Sequence, residues 1–312
     1  MASHPPPPPE RLFAHTRESL PIGSNEELVV HRWEGQLELS GCCVLTFHGY
    51  GSHACYPTIR FASELLALEG HTVYGLDFKG HGESFGTRGL IRSSRELIDT
   101  GVLMVKWVSK REPKKPLVLL GVSMGGAVAL HVSLKVPELV RSVVLVAPML
   151  GIAETSLPPL WQQTLLRGIA CVAPAAALLG GSAASDPAQQ YKDESRRAEC
   201  VSDEKQYHGA MRLATAAACL ETALELASSF DEISTPFLCL AAGKDTVVDV
   251  AGPPKLMEQS STPSEQKKLV VFPEALHGLL CEPLPVRAQV EKEIVQWVGQ
   301  WSPTPQLPLP GK

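Results

Sequence analysis

No stretch of this 312-residue chain approaches the run of about 20 apolar residues that a membrane-spanning helix needs. Basic charge is also short, with 28 Lys and Arg against 33 Asp and Glu and a formal net charge of −5. That balance supplies none of the cationic excess that neutralises nucleic-acid phosphates, so no nucleic-acid partner is expected. The eight cysteines include no CxxC pair and no zinc-ligand spacing, and the ten histidines form no HExxH pattern. A GxxxxGKS/T phosphate loop and a GxGxxG fingerprint are missing as well. Metals, flavin and nicotinamide are not implied, and no cofactor is expected. The first residues lack the apolar segment of a secretory signal. The scattered cysteines read as mostly buried, reduced thiols of a cytoplasmic protein, with one or two stray disulfides as the weaker reading.

Proline is what the chain has in excess, at 26 residues. Five stand in a row at 5–9, four more (Pro303, Pro305, Pro308, Pro310) crowd the last ten positions, and the remaining 17 are near average for a chain of this length. A polyproline run favours an extended conformation that joins neither a helix nor a central strand. Residues 1–26 and 302–312 are therefore assigned to Pro-rich tails, the first of them disordered.

Between the tails, short apolar runs recur at residues 42–47, 72–76, 117–120, 143–147, 237–241 and 269–272. Most are continuously apolar, the pattern of strands buried on both faces of a parallel sheet. A more mixed segment, 28–33, reads as half of an edge hairpin with 36–39 across Glu34-Gly35. Helical patterns at 59–68, 97–107 and 285–301 alternate with the strands. The last sets Val286, Val290, Ile294, Trp297, Val298 and Trp301 on one stripe. Such alternation predicts an α/β fold with a mostly parallel, doubly wound sheet and helices on both faces. It lapses over the alanine-rich stretch 151–230. That stretch reads as a helical insertion between core segments 27–150 and 231–301, with ordinary core as the other reading.

The sharpest local signal is Gly121-Val122-Ser123-Met124-Gly125-Gly126, directly after one predicted strand and before a predicted helix. A GxSxG turn in that context lifts the serine hydroxyl above the sheet, at a helix N-terminus with free N–H groups. A serine nucleophile needs a base, and the base needs an orienting carboxylate; in this kind of fold both follow later in the chain. Among the later aspartates, Asp245 alone comes immediately after a buried-strand pattern, with Asp249 in reserve. After Asp245 the chain contains a single histidine, His277. The oxyanion donors expected are the backbone N–H groups of Tyr50, in the glycine-rich turn His48-Gly49-Tyr50-Gly51, and of Met124. His48 and His81 are read as structural, and Asp77 as an anchor for the loop after its strand.

Taken together, His48-Gly49-Tyr50-Gly51, Gly80-His81-Gly82-Glu83-Ser84, the Ser123 turn, Gly243-Lys244-Asp245 and His277-Gly278 resemble the α/β-hydrolase superfamily. Within it they are most similar to the monoacylglycerol lipase-like group, which includes caffeoylshikimate esterases and lysophospholipase-like enzymes. The resemblance implies an esterase with Ser123, Asp245 and His277 as its triad and a helical cap over an acyl-binding tunnel. The insertion 151–230 would be that cap, and its apolar cluster Leu157, Leu160, Trp161 and Leu165 would meet the acyl chain. Val122 departs from the family, whose members usually carry a polar residue there. The substrate implied is a small acyl ester, a monoacylglycerol or lysophospholipid. Alternatives on the same triad are a phenolic ester or acyl transfer to an alcohol, and a non-catalytic ligand-binding protein is the remote one. An apolar cap also leaves room for peripheral contact with a bilayer.

Overall fold

The computed structural model describes residues 12–23, 26–35, 41–151, 159–177 and 186–302. Their centre is an eight-stranded sheet in the order β1-β2-β4-β3-β5-β6-β7-β8. The strands are β1 (Phe13–Pro21), β2 (Glu27–Gly35), β3 (Cys43–Phe47), β4 (Thr72–Leu76), β5 (Leu117–Val122), β6 (Ser142–Val146), β7 (Phe237–Ala242) and β8 (Lys267–Phe272). From β4 through β8 all neighbours are parallel, whereas β2 runs antiparallel to both β4 and β1. Every residue of β3, β4, β5, β6 and β7 is buried, as their mostly apolar sequences lead one to expect. The six predicted strands correspond to β3 through β8.

Two expectations at the amino end need correction. The partner of β2 is β1, in a register that sets Phe13 opposite Gly35 and Pro21 opposite Glu27. The segment 36–39, proposed as the other half of a hairpin, lies outside the described residues. Accordingly, the tail reading of 1–26 fails for Phe13–Pro21, an edge strand whose Leu20 is buried in the core. Its sequence is mostly exposed and polar, so hydrophobic burial leaves little trace in it.

Helices α1 (Pro57–Leu68), α2 (Ser94–Arg111), α3 (Met124–Lys135), α8 (Gly252–Gln259) and α9 (Val286–Gly299) link and flank the strands. Pro57 opens α1 where no intrahelical N–H is needed. Ser93 caps α2 by accepting from the Glu96 N–H at 3.1 Å, worth about 1 kcal/mol. Of the predicted stripe on α9, Val290, Ile294, Trp297 and Val298 are buried. Two apolar cores fill the two faces of the sheet, one around Phe47, Leu119, Val128 and Phe237, the other around Val44, Leu120, Leu238 and Ile294.

The stretch 151–230 contributes α4 (Leu160–Val172), α5 (Pro187–Gln190), α6 (Glu194–Ser202) and α7 (Leu213–Ala227). Its only strand-like pairing among the described residues is the Ala177–Arg212 bridge. The stretch is not uniform. Ala218 and Leu226 of α7 belong to the main core, and the His131 Nε2–H of α3 donates to Thr222 O at 2.9 Å. The insertion reading thus suits α4 to α6, and the ordinary-core reading suits α7.

Candidate active site

Chain geometry at the end of β5 explains the first site residue. Ser123 adopts φ 55°, a left-handed conformation that L residues avoid, between the last residue of β5 and the first of α3. The reversal is tight enough that a Cβ on Gly121 would overlap the Gly125 carbonyl, and one on Gly125 would overlap the Phe47 carbonyl. Only glycine fits where the elbow backs onto its own helix and onto β3. The turn is held by the Ser123 N–H donating to Val146 O and by the Gly126 and Met149 N–H groups donating to Ser123 O, at 2.9–3.0 Å. Val122, beneath it, is 5% exposed and still contributes to the cavity wall.

His277 and Asp245 come from the loops after β8 and β7 and meet across them. The His277 Nδ1–H donates to Asp245 Oδ2 at 2.7 Å. The other carboxylate oxygen, Oδ1, accepts from the Val247 and Val248 N–H groups at 2.8 and 3.0 Å, which fixes the Asp245 rotamer. Both side chains are buried. With its Nδ1 proton committed to Asp245, the imidazole has Nε2 as its remaining base position. Asp249, the reserve candidate, instead accepts from the Ala251 N–H in its own turn. Glu282 supports the histidine loop from below by accepting from the Leu276 N–H at 2.8 Å; burial raises its pKa.

The turn after β3 forms the opposite wall. A Cβ built on Gly49 would stand 3.8 Å from Ser123 Oγ, so the Gly49-Tyr50 backbone passes beside the hydroxyl. As the first residue of α3, Met124 has an N–H without an intrahelical acceptor. His48 holds this turn: its Nδ1–H donates to Gly49 O at 2.7 Å, and its Nε2 accepts from the Phe78 N–H at 3.0 Å. Burial, helped by neighbouring His81, pushes its pKa down to about 3, so the ring is neutral. Asp77 accepts from the Ala54 N–H at 2.7 Å and the Glu83 N–H at 2.9 Å, bracing two loops together. Burial opposes its charge, but the His31 contact and the backbone donors win and hold it at about 2. Both residues are therefore structural, as their places in the sequence suggest.

These walls enclose a cavity of about 440 Å³ lined by Gly49, Tyr50, Ser123, Met124 and His277 from the core, within the range of small-molecule sites. The stretch 151–230 closes it with Tyr191, Val201, Tyr207, Met211 and Cys219. Sequence reasoning missed these closing residues. Tyr191 and Tyr207 stand among polar neighbours with no periodicity to mark them, and an aromatic in a charged stretch is the signal available. The expected acyl-contact set is not assembled. Leu160, Trp161 and Leu165 are 79%, 65% and 53% exposed on α4, away from the cavity lining, and Leu157 lies outside the described residues. Helix periodicity fixes a shared face but not its direction, and this face turns to solvent.

A mostly parallel sheet with a strained serine at one strand end and a carboxylate-histidine pair from two later loops defines a serine hydrolase of the α/β-hydrolase class. The chain belongs to the Hydrolase_4 family, described as serine aminopeptidase S33, which matches residues 41–284. It is similar to the monoacylglycerol lipase of Mycolicibacterium smegmatis, 25% identical over 87% of this chain and 92% of that protein. The rat monoglyceride lipase is 27% identical over 82% of each chain. Among solved structures, a soluble variant of the Saccharomyces cerevisiae monoglyceride lipase, in complex with a substrate analog, superposes with a TM-score of 0.76. It is 20% identical and covers 97% of this chain and all of that one. The Paleococcus ferrophilus monoacylglycerol lipase gives 0.73 at 21% identity over 88% of this chain and all of that one, supporting the same fold.

Proposed function

We propose that this chain hydrolyses a monoacylglycerol or lysophospholipid through an acyl-enzyme on Ser123. One observation carries the reading: the Asp245-bound His277 and the strained Ser123 open onto one cavity with the Gly49-Tyr50 backbone beside the hydroxyl. Ser123 Oγ attacks the ester carbonyl while His277 Nε2 takes its proton. The tetrahedral oxyanion is held by the Tyr50 and Met124 N–H groups, and the alcohol leaves with the proton from His277. Water, deprotonated by the same nitrogen, then releases the fatty acid. The cavity wall of Met149, Val201, Met211 and Val248 suits an acyl chain, and the monoacylglycerol lipase names of its relatives fit the same substrate.

No helix among the described residues is long and apolar enough to cross a membrane. Contact with lipid fits α4 better, since Leu160, Trp161, Leu165, Ile169 and Val172 are all exposed on it. A helix of that kind lies in the interface with its apolar side among the acyl chains, where the substrate resides. All eight cysteines are free thiols, which suits the cytoplasmic side of such a membrane.

The test uses a fluorophosphonate probe and a panel of esters on the purified chain. Labelling is expected to depend on Ser123, long-chain monoacylglycerols are expected to be cleaved faster than acetyl esters, and Ser123→Ala is expected to lose roughly 10⁴-fold or more in kcat. Ser123-independent labelling would overturn the triad. A reversed chain-length ranking would overturn the substrate.

A further inference from the structure

His15 of β1, His31 of β2 and Cys55, in the turn ahead of α1, converge outside the set of residues that line the cavity. His15 Nε2 lies 3.2 Å from His31 Nδ1, and the Cys55 sulfur lies 3.3 Å from His31 Nδ1 and 3.9 Å from His15 Nε2. A tetrahedral zinc ion binds imidazole nitrogen at about 2.0–2.1 Å and thiolate sulfur at about 2.3 Å, which sets ligand atoms roughly 3.3 Å (N to N) and 3.6 Å (N to S) apart. The triangle has close to those edges before any ion enters.

Two further features prepare the ligands. The far nitrogen of His31, Nε2, sits 3.5 Å from Asp77 Oδ2, and Asp77 is itself pinned by two backbone donors. At that ion-pair separation the carboxylate favours the His31 proton on Nε2, which leaves Nδ1 as a lone pair facing the other two ligands. The His15 ring is stacked on Trp33 at 4.7 Å and 10°, which fixes its plane. His31 is buried, Cys55 half-buried and His15 exposed, so one side of the triangle is open to solvent.

We propose that His15, His31 and Cys55 form a binding site for one borderline-soft divalent cation of the zinc type, with water in the fourth position. Zinc binding forms the Zn–S bond and releases the thiol proton to solvent, and the two imidazoles bind through lone pairs. The cation ties the edge strand β1 to the turn that begins at Tyr50. The three positions are separated by 16 and 24 residues in the chain, so sequence spacing does not reveal them.

The test strips the full chain with EDTA, then titrates zinc against a chromogenic chelator and cobalt in parallel. One zinc per chain and release of about one proton are expected, and the cobalt form should show a near-ultraviolet thiolate charge-transfer band. Cys55→Ser should abolish that band. His15→Ala, on an exposed strand position, should weaken zinc binding tenfold or more with unchanged thermal unfolding in EDTA. Zinc uptake by either variant with parental affinity, or no uptake by the parent chain, overturns the site. His15→Ala keeps the test decisive if Cys55→Ser folds poorly.

Discussion

At Asp245 a single atom exchange separates orientation from folding. Asp245→Asn keeps the shape but presents an amide that no longer favours the Nδ1–H tautomer of His277, so kcat should fall about 10⁴-fold. Asp249→Asn, whose side-chain partner among the described residues is the Ala251 N–H, should leave kcat within about twofold. Steady-state ester hydrolysis on both variants separates the two carboxylates. Gly125→Ala adds a methyl against the Phe47 carbonyl, and no flexible side chain is there to yield. A loss of roughly 2–4 kcal/mol in urea unfolding is expected, because the elbow or β3 must shift.

Individual elements differ in how much of themselves they write into the sequence. The strands β3 to β7 are buried on both faces, so nearly every position is apolar and each reads as a short hydrophobic run. β1 is an edge strand with His15, Thr16 and Arg17 exposed, and its pairing rests on backbone bonds that any sequence makes. The site loops were legible because a strained serine, its flanking glycines and a lone later histidine are rare constraints. The side chains that close the cavity were not, because α5, α6 and their connections pack few apolar residues. On α4 the legible stripe leads elsewhere: Trp161→Ser with Leu165→Ser should reduce co-sedimentation with lipid vesicles severalfold, while hydrolysis of a water-soluble short-chain ester stays unchanged. Unchanged sedimentation would remove α4 from the membrane contact.

Stability of the whole molecule carries a pH signature set by its buried imidazoles. Burial lowers His48 to about 3 and His71 and His81 to about 4, against 6.5 in the unfolded chain. Unfolding below pH 6.5 therefore takes up protons that the folded state excludes. Their contribution is complete above about pH 6.5 and is lost as pH falls toward 4. Near pH 5 close to three protons are involved, a slope of roughly 4 kcal/mol per pH unit. Urea titrations between pH 5 and 6.5 measure that slope. His71→Asn, which can keep an acceptor for the Cys42 N–H, should lower the proton count by about one.

Three backbone bonds join the described part of the stretch 151–230 to the loops on opposite sides of the cavity. The Gly278 N–H donates to Gln190 O and the Asp193 N–H to Cys281 O on the His277 side, and the Tyr207 N–H donates to Gly51 O on the Tyr50 side. The first side has two amide protons and the second has one. Deuterium exchange at Gly278 and Asp193 on one side and at Tyr207 on the other therefore clocks the two sides separately: equal rates mark a stretch that lifts as one body, and unequal rates mark a hinge on the slower side.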